Sequence, residues 1–232
     1  MAADFSQYLS GLAEVEADIL NNSVQFSYCN EQSFNVLRGE FPVLVSAPHS
    51  GGMIRNGQSK SPEIGTASVA ILLHKILGVS AAYTTGKGKL DPCSVATCDF
   101  KDALFQLVQE RPPSLVLDIH ALHSLRPMDF DIGSMHGASL LGNDMLTNIL
   151  KRQLSLNGLT LITENVYPAT NEWSITRWAF NQKIPSLQCE INSGWLLYPG
   201  ADRTQAERFH SLTTALRDAI SDFIGCYRPV GS

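Results

Sequence analysis

The sequence has few charged residues and no excess of basic ones, which excludes several classes of function. Only 17% of its 232 residues are charged, and the formal net charge is -5 with a pI near 5.6. Proteins that bind nucleic acid usually present a basic surface, so we expect no nucleic-acid partner. A run of about 18 apolar residues is also absent, which predicts no membrane-spanning helix. The first residues lack the basic and apolar segments of a secretory signal, and this indicates a cytoplasmic location.

Cysteines are also few, and their arrangement argues against a disulfide framework. The chain contains five, an odd number, scattered along its length. We therefore expect reduced thiols. Cys93 and Cys98 are the only close pair, and without a second pair they do not predict a structural zinc site. No Gly-x-Ser-x-Gly pattern is present, so the sequence does not indicate a serine nucleophile of the hydrolase-elbow type.

What the sequence does contain is a regular alternation of predicted strands and helices. Hydrophobic residues make up 44% of the chain, which is typical of a globular protein. We predict one domain over residues 1–232, beginning with an amphipathic helix at about residues 4–21. The alternation predicts an α/β fold of three layers, with a mixed, mostly parallel sheet flanked by helices.

Three predicted strands end in chemically active side chains. Residues 114–119 form a mainly apolar run, which we expect to be the central strand. Asp118 lies near its end, and His120 follows it. Residues 41–47 lead to His49, and residues 184–191 contain Glu190. Ligands of open α/β sheets bind at the carboxyl ends of the strands. We therefore predict that His49, His120 and Glu190 meet at one edge of the sheet.

Two histidines and one carboxylate are a common donor set for hydrolytic zinc. We predict that one zinc ion is bound by His49 and His120, with Glu63 or Asp91 as the third ligand. Asp118 would orient His120 from behind, although a plain buried Asp–His hydrogen bond is the alternative. A buried Glu190 would have a raised pKa and could act as a general base toward water, unless it pairs with Arg177.

The candidates for substrate binding are fewer and less sharply defined. Arg177 precedes the strand that carries Glu190, and a guanidinium can hold a substrate carboxylate with two hydrogen bonds. Alternatively, Arg177 lies at the surface of its helix and has no role in binding. Arg55 and Arg126, which lie in predicted loops, are the other candidates for binding the substrate carboxylate. Ser50, in a glycine-rich loop that could approach a ligand, and Asn192 are further candidates. We expect a small-molecule substrate that bears a carboxylate.

The order of these motifs resembles the N-formylglutamate amidohydrolase-like family. The resemblance covers about residues 41–195 and rests on five segments: Pro48-His49-Ser50-Gly51, Asp91-Pro92, Asp118-Ile119-His120, Asp129-Phe130-Asp131-Ile132-Gly133 and Gln188-Cys189-Glu190-Ile191-Asn192. The family is similar in fold to zinc carboxypeptidases and the aspartoacylase group, which implies a phosphorylase/hydrolase-like fold. It also implies a metal-dependent hydrolase of an amide bond, often in an N-acyl amino acid.

Carried over by position, the resemblance implies that His49 and His120 are metal ligands and that Glu190 is the catalytic carboxylate. Glu63 is the nearest equivalent of the acid that follows later in formylglutamate hydrolases. The sequence departs from the relatives at two points, since Gly52 stands where carboxypeptidases have a ligand glutamate and Ser193 where an arginine is usual. A degenerate relative that binds a ligand or protein partner without turnover is therefore the alternative function.

Overall fold

The structure is a computed structural model that describes residues 2–24, 34–86 and 90–226. Within these ranges the chain alternates between strands and helices. In chain order the elements are α1 (Ala2–Val24), β1 (Phe34–Leu37), β2 (Phe41–Ala47), β3 (Met53–Arg55), β4 (Gln58–Lys60), α2 (Thr66–Leu77), β5 (Val79–Thr84), α3 (Asp99–Glu110), β6 (Leu115–Leu122), β7 (Phe130–Gly133), α4 (Met145–Leu156), β8 (Ile162–Glu164), α5 (Ile175–Asn181), β9 (Ser186–Asn192) and α6 (Arg203–Cys226).

The main sheet has seven strands in the order β1-β5-β2-β6-β9-β7-β8. Strands β5, β2, β6 and β9 run parallel to one another, and β7 is parallel to β8. Among the described strands of this sheet, β1 against β5 and β7 against β9 are the antiparallel pairs. The predicted mixed, mostly parallel sheet is confirmed, with β6 at its centre.

Alternation along β6 sends its side chains into two different environments. Leu115, Leu117 and Ile119 belong to the larger core, which they share with side chains from α2, α4 and α6. Val116 belongs to a smaller core with side chains from α3 and α5. Because side chains alternate along a strand, Asp118 and His120 follow Val116 on this second face. Helices on both faces complete three layers, and Asp118 and His120 are buried on the face that α3 and α5 cover.

Two boundaries that matter for the site differ from the sequence-based prediction. The central strand continues to Leu122, so His120 lies inside it and not beyond its end. The segment Ser61-Pro62-Glu63 is typical of a helix start and predicts a helix from Glu63, but helix α2 begins at Thr66. Gly65, with φ of 91°, cannot serve as an ordinary helical residue, and it separates the helix from the preceding loop. Glu63 therefore stays in a loop with its carboxylate free to turn toward the sheet.

Other predicted boundaries also need correction. The helical spacing of apolar residues predicts a helix over residues 139–156, but this helix begins at Met145, after a short 3₁₀ turn over Ala138–Leu140 and a positive φ of 85° at Gly142. Residues 171–181 are also predicted as one helix, which begins at Ile175 because the Ser174 hydroxyl caps it. Residues 24–29 alternate like a short strand, yet Val24 ends α1, and residues 25–29 lie outside the described residues.

A hairpin lies between β2 and α2, where the polar sequence of residues 53–62 predicts a loop. Strands β3 and β4 pair antiparallel in a small sheet of their own. Asn56 and Gly57 connect them, with φ of 52° and 76°. Positive φ at both central residues is the geometry of the tight turn that Asn-Gly favours. No helix in the described part of the chain is long and apolar enough to cross a membrane.

Candidate metal centre

The pairing of β6 with β9 places two predicted site residues side by side. These strands are parallel, with Asp118 opposite Gln188 and His120 opposite Glu190. Neighbouring strands lie about 4.8 Å apart, so paired side chains on one face are in reach of each other. His120 and Glu190 therefore share the face that is covered by α3 and α5.

His49 joins them from the loop after β2, and Glu63 lies between the two imidazoles. The Nδ1 atoms of His49 and His120 are 3.1 Å apart, and both rings are buried. Glu63 Oε1 is 2.9 Å from His49 Nδ1, and Oε2 is 3.3 Å from His120 Nδ1. The Glu63 backbone N–H donates to the His49 carbonyl, and the Ala121 N–H donates to Glu63 Oε2. These bonds fix the carboxylate at the edge of β6.

The opposite ring nitrogen of each histidine faces a second carboxylate. His49 Nε2 is 2.8 Å from Asp91 Oδ1, and His120 Nε2 is 3.2 Å from Asp118 Oδ1. The His120 contact is poorly aligned for a hydrogen bond, and within the described residues these two buried atoms have no other hydrogen-bond partner. Both rings thus turn Nδ1 toward Glu63 and Nε2 toward an aspartate.

Each aspartate is itself held in place. Asp91 accepts the Cys93 backbone N–H and forms an ion pair with Arg55. Asp118 Oδ2 accepts from both the backbone N–H and the hydroxyl of Thr176, at the start of α5. Carboxylates that orient metal-binding histidines are commonly anchored in this way.

The negative charge around His49 favours a cation there. Burial opposes the charged form, yet Glu63, Cys93 and Asp91 together raise the pKa of His49 to about 10. Burial alone would raise the pKa of Glu63, but the two histidines outweigh it and hold that pKa well below its ordinary value. The buried Glu63 carboxylate is therefore ionised and is stabilised by positive charge beside it.

The donor atoms fit a metal ion. Ligand atoms on one tetrahedral zinc ion lie about 3.3–3.4 Å apart, since Zn–N and Zn–O bonds are about 2.0–2.1 Å. The three observed separations among His49, Glu63 and His120 are 2.9, 3.1 and 3.3 Å. These residues form one of two candidate metal-binding groups in the described part of the chain. The other combines His49 with Asp91 and Cys93. We favour the first group because it uses both imidazoles and leaves an aspartate behind each.

Glu190 lies beside this donor set without belonging to it. Burial raises the pKa of its carboxyl above the ordinary value, although His120 opposes the rise. Gln188 Nε2 donates to Glu190 Oε1 at 3.0 Å, and Asp131 of β7 is paired with Glu190 on the other side. A buried carboxylate with a raised pKa is suited to accept a proton.

The structure gives the predicted substrate-binding residues other contacts. Ser50 is fully buried, and its hydroxyl contacts the Ala47 and Thr84 carbonyls. The Asn192 amide donates to the carbonyls of residues 124, 126 and 128 and so ties down the loop after β6. These contacts indicate structural roles, and they lend no support to substrate binding by either residue. Arg177 Nη2 donates to the Thr170 carbonyl, while its buried Nε lacks a partner among the described residues.

The sequence did not predict that Lys60, Arg55 and Cys93 lie at the candidate metal centre. Lys60 Nζ is 2.6 Å from His49 Nδ1 and 2.8 Å from Glu63 Oε1. Arg55 holds Asp91, and the buried Cys93 thiol interacts with both histidines. Asp91, considered as a third ligand, is placed behind His49. The Asn56-Gly57 turn signal was the one clue in the sequence that could have brought Arg55 and Lys60 together.

At the level of sequence, neither a family model nor a curated protein matches this chain. Solved structures do match. N-formylglutamate amidohydrolase from Ralstonia eutropha superposes with a TM-score of 0.59 at 13% identity, covering 84% of this chain and 99% of its own. A bacteriophage poly-gamma-glutamate hydrolase gives 0.57 at 16% identity, covering 86% and 93%. A gene product of Agrobacterium tumefaciens gives 0.57 at 12% identity, covering 86% and 99%. The chain therefore has the fold of the N-formylglutamate amidohydrolase-like structures, as the ordered motifs of its sequence indicate.

Proposed function

We propose that this protein is a zinc-dependent hydrolase of an amide bond. The observation that carries the proposal is the meeting of His49, Glu63 and His120, with an aspartate behind each histidine. A structural role alone would not require two buried imidazoles to turn their Nδ1 atoms toward one carboxylate. Zinc sites of hydrolases use three protein ligands of these types and leave one position open.

The metal and the protein would contribute different parts of the chemistry. A zinc ion held by these residues would polarise the substrate carbonyl and lower the pKa of water. Asp91 would hold the Nε2 proton of His49 through a hydrogen bond, and Asp118, which faces Nε2 of His120 at 3.2 Å, would favour a proton there by its charge, so that each Nδ1 presents its lone pair to the ion. Glu63 would neutralise part of the positive charge.

Glu190 is the proposed general base. It lies next to His120 in the strand pairing and on the same face of the sheet. Its raised pKa suits a group that takes a proton from the attacking water and then passes it to the leaving nitrogen. Gln188, bonded to one carboxylate oxygen, would hold the side chain in this orientation.

The substrate we propose is a small N-acyl, particularly N-formyl, amino acid or peptide-like molecule with a carboxylate. The structural neighbours support this class, because their names describe hydrolases of N-formylglutamate and poly-gamma-glutamate. Arg177 remains a candidate for the carboxylate, and its unpartnered buried Nε is the observation that keeps it one.

The test is hydrolysis of N-formyl and N-acyl amino acids by protein stripped of metal with a chelator and then reloaded with zinc. Release of free amino groups should require zinc and should favour substrates with an acidic side chain. Glu190→Gln should reduce kcat/KM by about 10²–10⁴-fold while keeping bound zinc. Glu164→Gln, on the edge strand β8, is the matched control and should retain activity. Substrate binding without turnover in the zinc-loaded protein would favour the degenerate, ligand-binding alternative.

A further inference from the structure

Lys60, the last residue of β4, places a cation directly on the candidate metal centre. Its ammonium donates to Glu63 Oε1 at 2.8 Å and lies 2.6 Å from His49 Nδ1. These are the same two atoms that the proposed zinc site would use. The side chain is only 24% exposed, so solvent screens these contacts weakly.

The chemistry of the His49 ring makes the lysine and a metal ion mutually exclusive. A neutral imidazole has one lone pair, and with Nε2 donating to Asp91 that lone pair lies on Nδ1. It can accept a hydrogen bond from Lys60 or coordinate a metal, but not both. A proton on Nδ1 is excluded too while the ammonium stays at 2.6 Å. The carboxylates of Glu63 and Asp91 favour one positive charge at this position, which is either a proton on Nδ1 or the ammonium, and at 2.6 Å only one of the two fits. In the observed geometry it is the ammonium of Lys60.

The hairpin allows the lysine to leave without breaking the fold. Strands β3 and β4 pair only with each other and form no part of the main sheet. A lysine side chain is flexible and its ammonium is strongly hydrated, so rotation toward solvent breaks its contacts with His49 and Glu63 but leaves the hairpin intact. Arg55, the other cation of the hairpin, is instead fixed on Asp91.

We propose that Lys60 is a tethered counter-ion that occupies His49 and Glu63 in the metal-free protein and is displaced when the metal binds. This inference rests on the proposed metal site. Lys60 keeps the buried carboxylate neutralised and the ligands assembled before the metal arrives. The cost of expelling it weakens the net metal affinity.

The test compares zinc affinity in wild type, Lys60→Met and Lys60→Arg by competition with a chromogenic chelator. Lys60→Met, similar in length but uncharged, should bind zinc about tenfold to a hundredfold more tightly, because a charge-assisted hydrogen bond no longer competes. Lys60→Arg should bind like wild type. Lys75→Met, on the exposed end of α2, is the control and should leave the affinity unchanged. Unchanged or weaker binding by Lys60→Met would overturn the proposal.

Thermal unfolding provides a second readout that does not depend on activity. Without zinc, Lys60→Met should melt below wild type, since His49 and Glu63 have lost the ammonium that contacts both, and saturating zinc should close the gap. An equal melting temperature without zinc would contradict the proposal. If Lys60→Met fails to fold without metal, Lys60→Gln takes its place in both measurements.

The results also separate this proposal from the proposed metal site. Zinc binding that His49→Ala abolishes and Lys60→Met does not tighten would overturn the Lys60 proposal alone. Absence of zinc binding in both wild type and Lys60→Met would overturn both. Tighter binding by Lys60→Met that His49→Ala removes would support both.

Discussion

At the scale of single residues, His49 joins two loops that each carry a carboxylate, because one ring nitrogen faces Glu63 and the other faces Asp91. Replacing either acid would leave a buried imidazole with the wrong orientation or charge. This dependence of first ligands on the acids behind them is general in metal sites.

Glu190 gives a prediction of pH dependence. Burial raises its pKa in the folded protein, although His120 opposes the rise. Its contribution to stability is therefore fully present below the unfolded pKa, about 4.3, and is lost as pH rises through the raised folded value. Glu190→Gln stays neutral and should remove that loss.

The measurement is urea unfolding of metal-free protein at pH 4.5 and 7.5. Relative to wild type, Glu190→Gln should be more stable at pH 7.5 than at pH 4.5. Glu164→Gln, whose carboxylate lies in an exposed ion pair with Lys151, is the control and should show little dependence. A Glu190→Gln variant that loses stability at pH 7.5 would contradict the burial argument.

The sequence allowed His49, His120 and Glu190 to be brought together, because each follows or ends an apolar strand. It could not fix the role of Asp91, since the loop that carries it is positioned by tertiary contacts with Ile54, Arg55 and Cys93. Lys60 was missed for the same reason, because it reaches the site only through the turn of a hairpin.

At the scale of elements, the hairpin of β3 and β4 determines where Arg55 and Lys60 lie. Its turn depends on positive φ at Asn56 and Gly57. Apolar alternation predicted the strands of the main sheet, since they are buried. The hairpin strands are three residues each and Met53 is their one buried residue, so no apolar pattern marked them.

Gly57→Ala should loosen this hairpin by about 1 kcal/mol, because a side chain disfavours positive φ. An added Cβ would meet no atom within 4 Å, so the effect is one of backbone conformation alone. Amide hydrogen exchange over Met53–Lys60 should become about fivefold faster. Gly11→Ala, in open space on helix α1, is the control and should stabilise the protein. Unchanged exchange in the hairpin would contradict this account of the turn.

At the scale of the whole molecule, helix α1 supports the site from the opposite side of the sheet. Glu16 is buried and accepts hydrogen bonds from the Gly65 and Ser68 backbone N–H groups and from the Ser68 hydroxyl. It thereby caps the start of α2 from a distant helix. Glu63 lies two residues before Gly65, so this cap also limits the movement of a proposed metal ligand.

Glu16→Ala should lower the free energy of unfolding by about 1–3 kcal/mol, because it leaves two backbone donors at the start of α2 unpaired. Zinc affinity should fall as well, since the loop that carries Glu63 becomes less fixed. The matched control is Glu14→Ala, an exposed position on the same helix, which should change neither quantity appreciably. Equal stability of the two variants in urea would refute the cap.

The overall architecture followed from the alternation of strands and helices, but the coupling between its parts did not. The amphipathic pattern predicted helix α1. It did not predict that Glu16 of this helix would accept hydrogen bonds from residues at the start of α2. Long-range contacts of this kind depend on the packing of the complete chain, and local propensity carries no information about them.

The central claim is that His49, Glu63 and His120 bind one zinc ion, and zinc X-ray absorption spectroscopy tests it most directly. Protein loaded with one equivalent of zinc should show only nitrogen and oxygen ligands near 2.0–2.1 Å, with outer-shell scattering from two imidazoles. The imidazole signal should halve in His120→Ala. A sulfur ligand at about 2.3 Å would assign the ion to the group with Cys93, and that result, or a protein that binds no zinc, would contradict the account.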